Sequence, residues 1–305
     1  MAERLNAPPP ARPGQPDWSR EGKDWPNREG SEFWRVENTA WHVQRSGQGP
    51  TALLIHGTGA STHSWAGLTP LLAHSYAVIA IDLPGQGFTR PAPGFVPSLN
   101  RMSGVIAELL GTLDVQPDLI IGHSAGAAVA VRLMATKRAR PKHIISLNGA
   151  LRPFPGLLRH LAPGIAKTLT FGGVAANIFA NAARDRRRVE RLLEQTGGAP
   201  AASYVDHYQR LLQCSAHVSS TLAMMANWDL SGIERDLAGL SAPISFLAGT
   251  QDQAISPAEA PRLAKLANAG TAMKLAGLGH LAHEQDAPGV MAAIESVLRQ
   301  PPSSP

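Results

Sequence analysis

Only one cysteine, Cys214, occurs among 305 residues. That excludes an internal disulfide and leaves no partner for a thiolate metal cluster, so a reducing cytoplasmic setting is the expectation. Aromatic residues make up 5% of the chain and charged residues 17%, against 44% hydrophobic. So few charges beside so many apolar side chains exclude a disordered composition and supply a packed core. No apolar run approaches the roughly 20 residues that span a bilayer. Residues 1–18 place prolines and polar groups where a secretion signal needs an apolar stretch, so secretion is not expected.

The charges that are present lean basic, with a net charge of +5 and a pI near 9.7. They gather at residues 137–142 and 184–191, the second run interrupted by Asp185 and Glu190. Neither run is interleaved with aromatics, which argues against nucleic acid. A solvated face fits, as does loose attraction to an acidic membrane surface or an anionic substrate. Histidines such as His160, His207 and His217 lack ligand spacing, so neither a metal nor a dissociable cofactor is expected.

Residues 1–30 show no periodicity and read as an irregular arm, whose later part packs on the body through Trp18, Trp25, Phe33 and Trp34. Eight strands are then expected at residues 33–36, 41–45, 51–55, 77–81, 119–121, 143–147, 244–248 and 272–275. Several are short continuous apolar runs, as strands buried on both faces require. Helical patterns at residues 65–73, 99–113, 125–136, 258–267 and 287–298 alternate with the later strands. The fold class is therefore α/β: a mainly parallel sheet with helices on both faces and an antiparallel opening edge. Residues 151–228 break the rhythm and are expected to form a helical cap insertion. It carries Leu157, Leu158, Ile165, Phe171, Ile178 and Phe179. Residues 31–150 and 229–300 form the core, and 301–305 a flexible tail.

Chemistry enters at Gly122-His123-Ser124-Ala125-Gly126, directly after one strand and before a helical pattern. A serine at a strained strand-to-helix turn leaves no space for side chains two residues to either side, hence the glycines. The turn presents the hydroxyl at the carboxyl edge of the sheet, with a helix N-terminus aimed at developing negative charge. His56-Gly57-Thr58-Gly59 follows another strand. Its Thr58 amide is the candidate first oxyanion donor and the Ala125 amide the second. A serine needs a base, and the base an orienting acid. Asp252 and His280 each follow a late strand, in the chain order Ser, Asp, His. His283 is the competing base and Asp229 the competing acid, although Asp229 fits better as a cap of the loop that ends the insertion.

With these residues the chain resembles the α/β-hydrolases. Asp82-Leu83-Pro84-Gly85-Gln86-Gly87 is similar to their D-x-P-G-H-G loop, with Gln86 in place of the usual His. Longer stretches are more specific. They are Asp24-Trp25-Pro26-Asn27-Arg28-Glu29, the segment from His56 to Trp65, Asn148-Gly149-Ala150-Leu151, Met224-Met225-Ala226-Asn227-Trp228-Asp229-Leu230 and Gly279-His280-Leu281-Ala282-His283-Glu284. Together they resemble the magnesium chelatase accessory family of bacteriochlorophyll synthesis in phototrophic bacteria, over about residues 18–298. That resemblance implies a role in tetrapyrrole metabolism near magnesium insertion, without implying a reaction. It also implies contacts with a small apolar substrate, a porphyrin being the natural one, from His56, Gly57, Trp65, His123, Asn148, Trp228 and His283. Three readings stand open: a serine hydrolase of ester-type bonds, a non-catalytic tetrapyrrole carrier that assists chelatase subunits, and an adaptor in peripheral contact with a membrane.

Overall fold

The computed structural model describes residues 2–152 and 173–299. His160, Leu157, Leu158, Ile165 and Phe171 of the expected insertion lie outside the described residues. The strands are β1 (Ala2–Leu5), β2 (Ser31–Val36), β3 (Thr39–Ser46), β4 (Thr51–Ile55), β5 (Ala77–Ile81), β6 (Leu119–His123), β7 (His143–Leu147), β8 (Ile244–Gly249) and β9 (Gly270–Leu275). They form one sheet in the order β1-β2-β3-β5-β4-β6-β7-β8-β9. The first three strands are antiparallel, β3 runs antiparallel to β5, and the six strands from β5 to β9 in that order are mutually parallel.

The eight expected strands are all present, and a ninth corrects the reading of residues 1–30 as an irregular arm. Ala2–Leu5 pairs with Phe33–Val36 at the sheet edge. Four residues with no apolar alternation carry no strand signal of their own, and the open edge of β2 supplies their partner. Trp18 and Trp25 do pack on the body, in a cluster with Phe33, Phe88 and Leu211.

The helices between strands are α1 (Leu68–Leu72), α2 (Leu99–Thr112) and α3 (Ala125–Ala135). Between β7 and β8 the described residues form α4 (Val174–Ala182), α5 (Arg186–Glu194), α6 (Ala202–Leu212), α7 (Ser215–Asn227) and α8 (Ile233–Ala238). The last are α9 (Glu259–Ala264), α10 (Ala282–Gln285) and α11 (Ala287–Arg299).

Alternation along the parallel strands builds two cores. In β4, Leu53 and Ile55 face one cluster with Met102, Ile106 and Leu109 of α2, whose spacing makes a single apolar stripe. Ala52 and Leu54 face the other cluster, with Leu68 and Leu72 of α1 and Val290 and Ile294 of α11. Both faces are covered, which is why these strands read as unbroken apolar runs.

This topology also locates the site. From β4 the chain crosses to β5 on one side, whereas from β6 it crosses to β7 on the other. The loops after β4 and β6 therefore part, and a crevice opens at the carboxyl ends of the strands. Ile55 pairs with Gly122, so residues 56–59 and 123–126 flank that crevice.

Candidate active site

Ser124 adopts φ 50° and ψ −116°, a backbone conformation that side chains rarely take. The surroundings impose it. The Ser124 amide donates to Leu147 O at 3.1 Å, and Ser124 O accepts from Ala150 N at 3.0 Å. A methyl group at Gly122 would collide with the backbone of Gly126 and Ala127, and one at Gly126 with the carbonyls of Ile55 and His56. The two glycines are thus required by backbone approach. α3 begins at Ala125, so unpaired helix amides face the crevice.

The acid and the base meet as the strand order predicts. Asp252 Oδ2 accepts from His280 Nδ1–H at 2.8 Å and from Asn148 Nδ2 at 2.7 Å. Its other oxygen, Oδ1, accepts from the amides of Ala254 and Ile255, each at 2.8 Å. Four donors hold the carboxylate fixed, and an acceptor at Nδ1 leaves His280 Nε2 as the nitrogen without a partner among the described residues. His280 packs against the residue that precedes the serine. His123 Nε2–H donates to His280 O at 2.9 Å, with ring centroids 4.8 Å apart. Ser124 Oγ makes no side-chain hydrogen bond among the described residues.

The loop after β4 faces the serine closely. A Cβ at Gly57 would lie 3.0 Å from Ser124 Cβ and 2.9 Å from His123 Nδ1, so only glycine permits the approach. The Gly59 amide is spent on Gln86 Oε1 at 2.7 Å, and the hydrogen bonds of the described residues leave the Thr58 and Ala125 amides without acceptors. Those two N–H groups are the donors that an oxyanion would need.

Several expected ligand contacts have other roles. His56 is fully buried, donates from Nδ1 to Gly57 O at 2.7 Å and accepts at Nε2 from Leu83 N at 2.9 Å. Burial lowers its pKa against the pull of Asp82, so a neutral ring braces the loop and does not face a ligand. Trp65 is also fully buried, its ring 4.7 Å from that of His283, and belongs to the core. Asn148 is turned toward Asp252, with φ 48°. Trp228 is half-buried against the larger core, and its Nε1–H lacks an acceptor among the described residues. Asp229 is exposed and accepts from Ser231 N and Oγ, each at 2.8 Å, a local turn; the helix that follows is capped by Gly232.

His283 is bonded away from Asp252. Its Nε2 lies 2.8 Å from Ser64 Oγ, the ring is fully buried, and burial followed by repulsion from His280 lowers its pKa to about 3. Ser64 Oγ in turn donates to Glu284 Oε1, which also accepts from Tyr208 Oη of α6 at 2.8 Å. No sequence signal singled out Glu284. Burial raises its pKa to about 8 from the usual 4.5, against the two hydrogen bonds, and its Oε2 has no partner among the described residues.

Between about pH 4.5 and 8 the folded chain therefore keeps a proton on Glu284 that the unfolded chain has released, so stability falls as pH rises through that window. Glu284→Gln has no proton to lose. Urea unfolding at pH 5 and pH 8 is expected to show a smaller loss of stability for the variant than for the wild type. Equal losses would place the titrating group elsewhere.

Comparison with known proteins agrees with this fold. Residues 52–294 match the alpha/beta hydrolase family. The chain is 33% identical over 273 residues to the magnesium-chelatase 30 kDa subunit of Rhodobacter capsulatus, covering 89% of this chain and 95% of that one. It is 27% identical over 265 residues to the pimeloyl-[acyl-carrier protein] methyl ester esterase of Stenotrophomonas maltophilia, covering 83% and 95%. An alpha/beta hydrolase fold protein from Burkholderia ambifaria superposes with a TM-score of 0.71 at 20% identity, covering 88% and 95%. Among the described residues no helix is long and apolar enough to cross a membrane.

Proposed function

The chain belongs to the alpha/beta hydrolase family, and from that premise we propose a serine hydrolase that cleaves an ester or similar acyl bond of an apolar compound in tetrapyrrole metabolism, at or near the magnesium chelatase step. The observation that carries the catalytic half is the 2.8 Å pairing of His280 Nδ1 with a four-fold hydrogen-bonded Asp252 beside the strained Ser124. His280 Nε2 takes the Ser124 proton as Oγ attacks the acyl carbon. Asp252 holds the tautomer and stabilises the imidazolium. The Thr58 and Ala125 amides receive the oxyanion. His280 then gives its proton to the leaving oxygen, and water, deprotonated by the same imidazole, releases the acyl group and restores Ser124.

The pathway half is supported by the similarity to the magnesium-chelatase 30 kDa subunit over nearly both lengths. Chelatase subunits are the partners this implies, and a porphyrin the ligand. Val174, Ile178 and Phe179 of α4 are exposed, which supports peripheral contact with a membrane surface. Trp228 caps the end of α7, the helix whose Met224 meets the loop after β4, and serves as an optical reporter. Titration with protoporphyrin or its magnesium form is expected to quench tryptophan fluorescence saturably. Trp228→Phe should remove part of that signal, and Ser124→Ala should retain binding. Quenching that rises linearly, without competition by a small ester, would mean adsorption and would end the porphyrin assignment.

A further inference from the structure

One residue of the loop after β4, Gly59, is gripped at both its amide and its carbonyl by groups outside the triad. Gly59 N–H donates to Gln86 Oε1 at 2.7 Å, and Gly59 O accepts from His217 Nε2–H at 3.1 Å. His217 belongs to α7, and its other nitrogen, Nδ1, accepts from Gly87 N at 3.1 Å. One imidazole thus joins the loop after β4 to the loop after β5. Gln86 Nε2 points at Met224 Sδ, 3.0 Å away, and Thr58 Oγ1 lies 3.7 Å from the same sulfur. Thr221, between His217 and Met224 on α7, brings its Cγ2 to 3.4 Å from where a Gly59 Cβ would be. His217, Thr221 and Met224 are spaced i, i+4, i+7, which is one face of a helix.

Gln86 and Met224 are fully buried and His217 nearly so. The bonding pattern uses His217 as a neutral ring, donor at one nitrogen and acceptor at the other. Burial, only partly opposed by the bond to Gly59, keeps it in that form with a pKa near 4. Gly59 itself sits at φ 82°, a conformation that nothing local to a glycine enforces. Its geometry is therefore set by the grip, and the Thr58 amide is one peptide away.

We infer that Gln86 and His217 are positioning residues: together with Met224 they lock the Gly59 peptide so that the Thr58 N–H is aimed at the oxyanion, and α7 completes the oxyanion hole. The role of Thr58 rests on the serine-hydrolase reading. The grip on Gly59 stands on its own geometry. Gln86 offers an acceptor to Gly59 N and a donor to Met224 at once. Seating of the insertion and readiness of the oxyanion hole are then one event.

The test uses the full chain and an alkyl fluorophosphonate, whose phosphoryl oxygen occupies the oxyanion hole. Loss of an oxyanion donor costs about 10²- to 10³-fold, and a misaimed donor less, so Gln86→Leu and His217→Ala are expected to lower kinact about 10- to 100-fold. KI should change less than about threefold, since ground-state binding does not use the donor. His217→Gln can still accept from Gly87 N and donate to Gly59 O, and should recover most of the rate. Hydrogen exchange of residues 57–60 should quicken about tenfold or more in the first two variants, with the central strands unchanged. Variants labelled as fast as wild type overturn the proposal. A wild type that is never labelled refutes the hydrolase reading instead. Exchange then decides the grip alone: quickened exchange supports it, and unchanged exchange in both variants overturns it.

Discussion

Ser124→Ala is expected to lower turnover of an activated ester by about 10⁴- to 10⁶-fold and to leave the thermal midpoint close to that of the wild type. The size follows from the division of labour at the site. Without Oγ no acyl-enzyme forms, yet the Thr58 and Ala125 amides still polarise the carbonyl and His280 still accepts protons, so some rate above water remains. The unchanged midpoint follows from the backbone. Ser124 is held at φ 50° by Leu147 O, Ala150 N and the close approach of residues 55–57, none of which involves the hydroxyl. Alanine suffers the same strain as serine there, and no side-chain hydrogen bond is lost. Initial rates with a p-nitrophenyl ester and an unfolding curve check both parts. Equal rates in variant and wild type would favour the carrier reading, in which the fold holds a tetrapyrrole without acting on it.

The second large effect separates the two histidines of the last loop. His280→Ala is expected to lose about 10⁴- to 10⁶-fold in kcat, and Asp252→Asn about 10⁴-fold, because an amide at position 252 no longer holds the Nδ1–H tautomer. His283→Ala should stay within about tenfold of wild type, its cost falling on stability through the emptied space beside Trp65 and Ser64. The reason is geometric. His280 Nδ1 meets a carboxylate that is itself pinned by Asn148, Ala254 and Ile255, whereas His283 Nε2 meets Ser64 in a sealed pocket under Trp65. Steady-state kinetics beside far-UV circular dichroism of the three variants read this out. An active His280→Ala with a dead His283→Ala would reverse the assignment of the base.

What could be read from the chain before its structure follows from where the information lies. The serine turn was legible because backbone crowding at Gly122 and Gly126 is a local demand that writes itself into adjacent residues. Asp252 and His280 were legible because each follows a buried strand whose apolar run marks its carboxyl end. Strand Ala2–Leu5 was not, since its pairing depends on an edge about 30 residues away. His56 and Trp65 were misread as ligand contacts for a related reason. Whether an imidazole or an indole faces a crevice or the core depends on neighbours such as Leu83 and His283, which sequence distance hides. The grip on Gly59 lay further from view still, since His217 is 158 residues from the peptide it holds. Its one trace in the sequence was Gln86 standing where histidine is usual.

The central claim is that this fold carries an activated serine at position 124. The most direct measurement is mass spectrometry of the purified chain after reaction with a fluorophosphonate probe, with the adduct mapped to a peptide. The account predicts one adduct per chain, on Ser124, absent from Ser124→Ala and from His280→Ala. A chain that takes up no probe, or one labelled equally in wild type and Ser124→Ala, would contradict it.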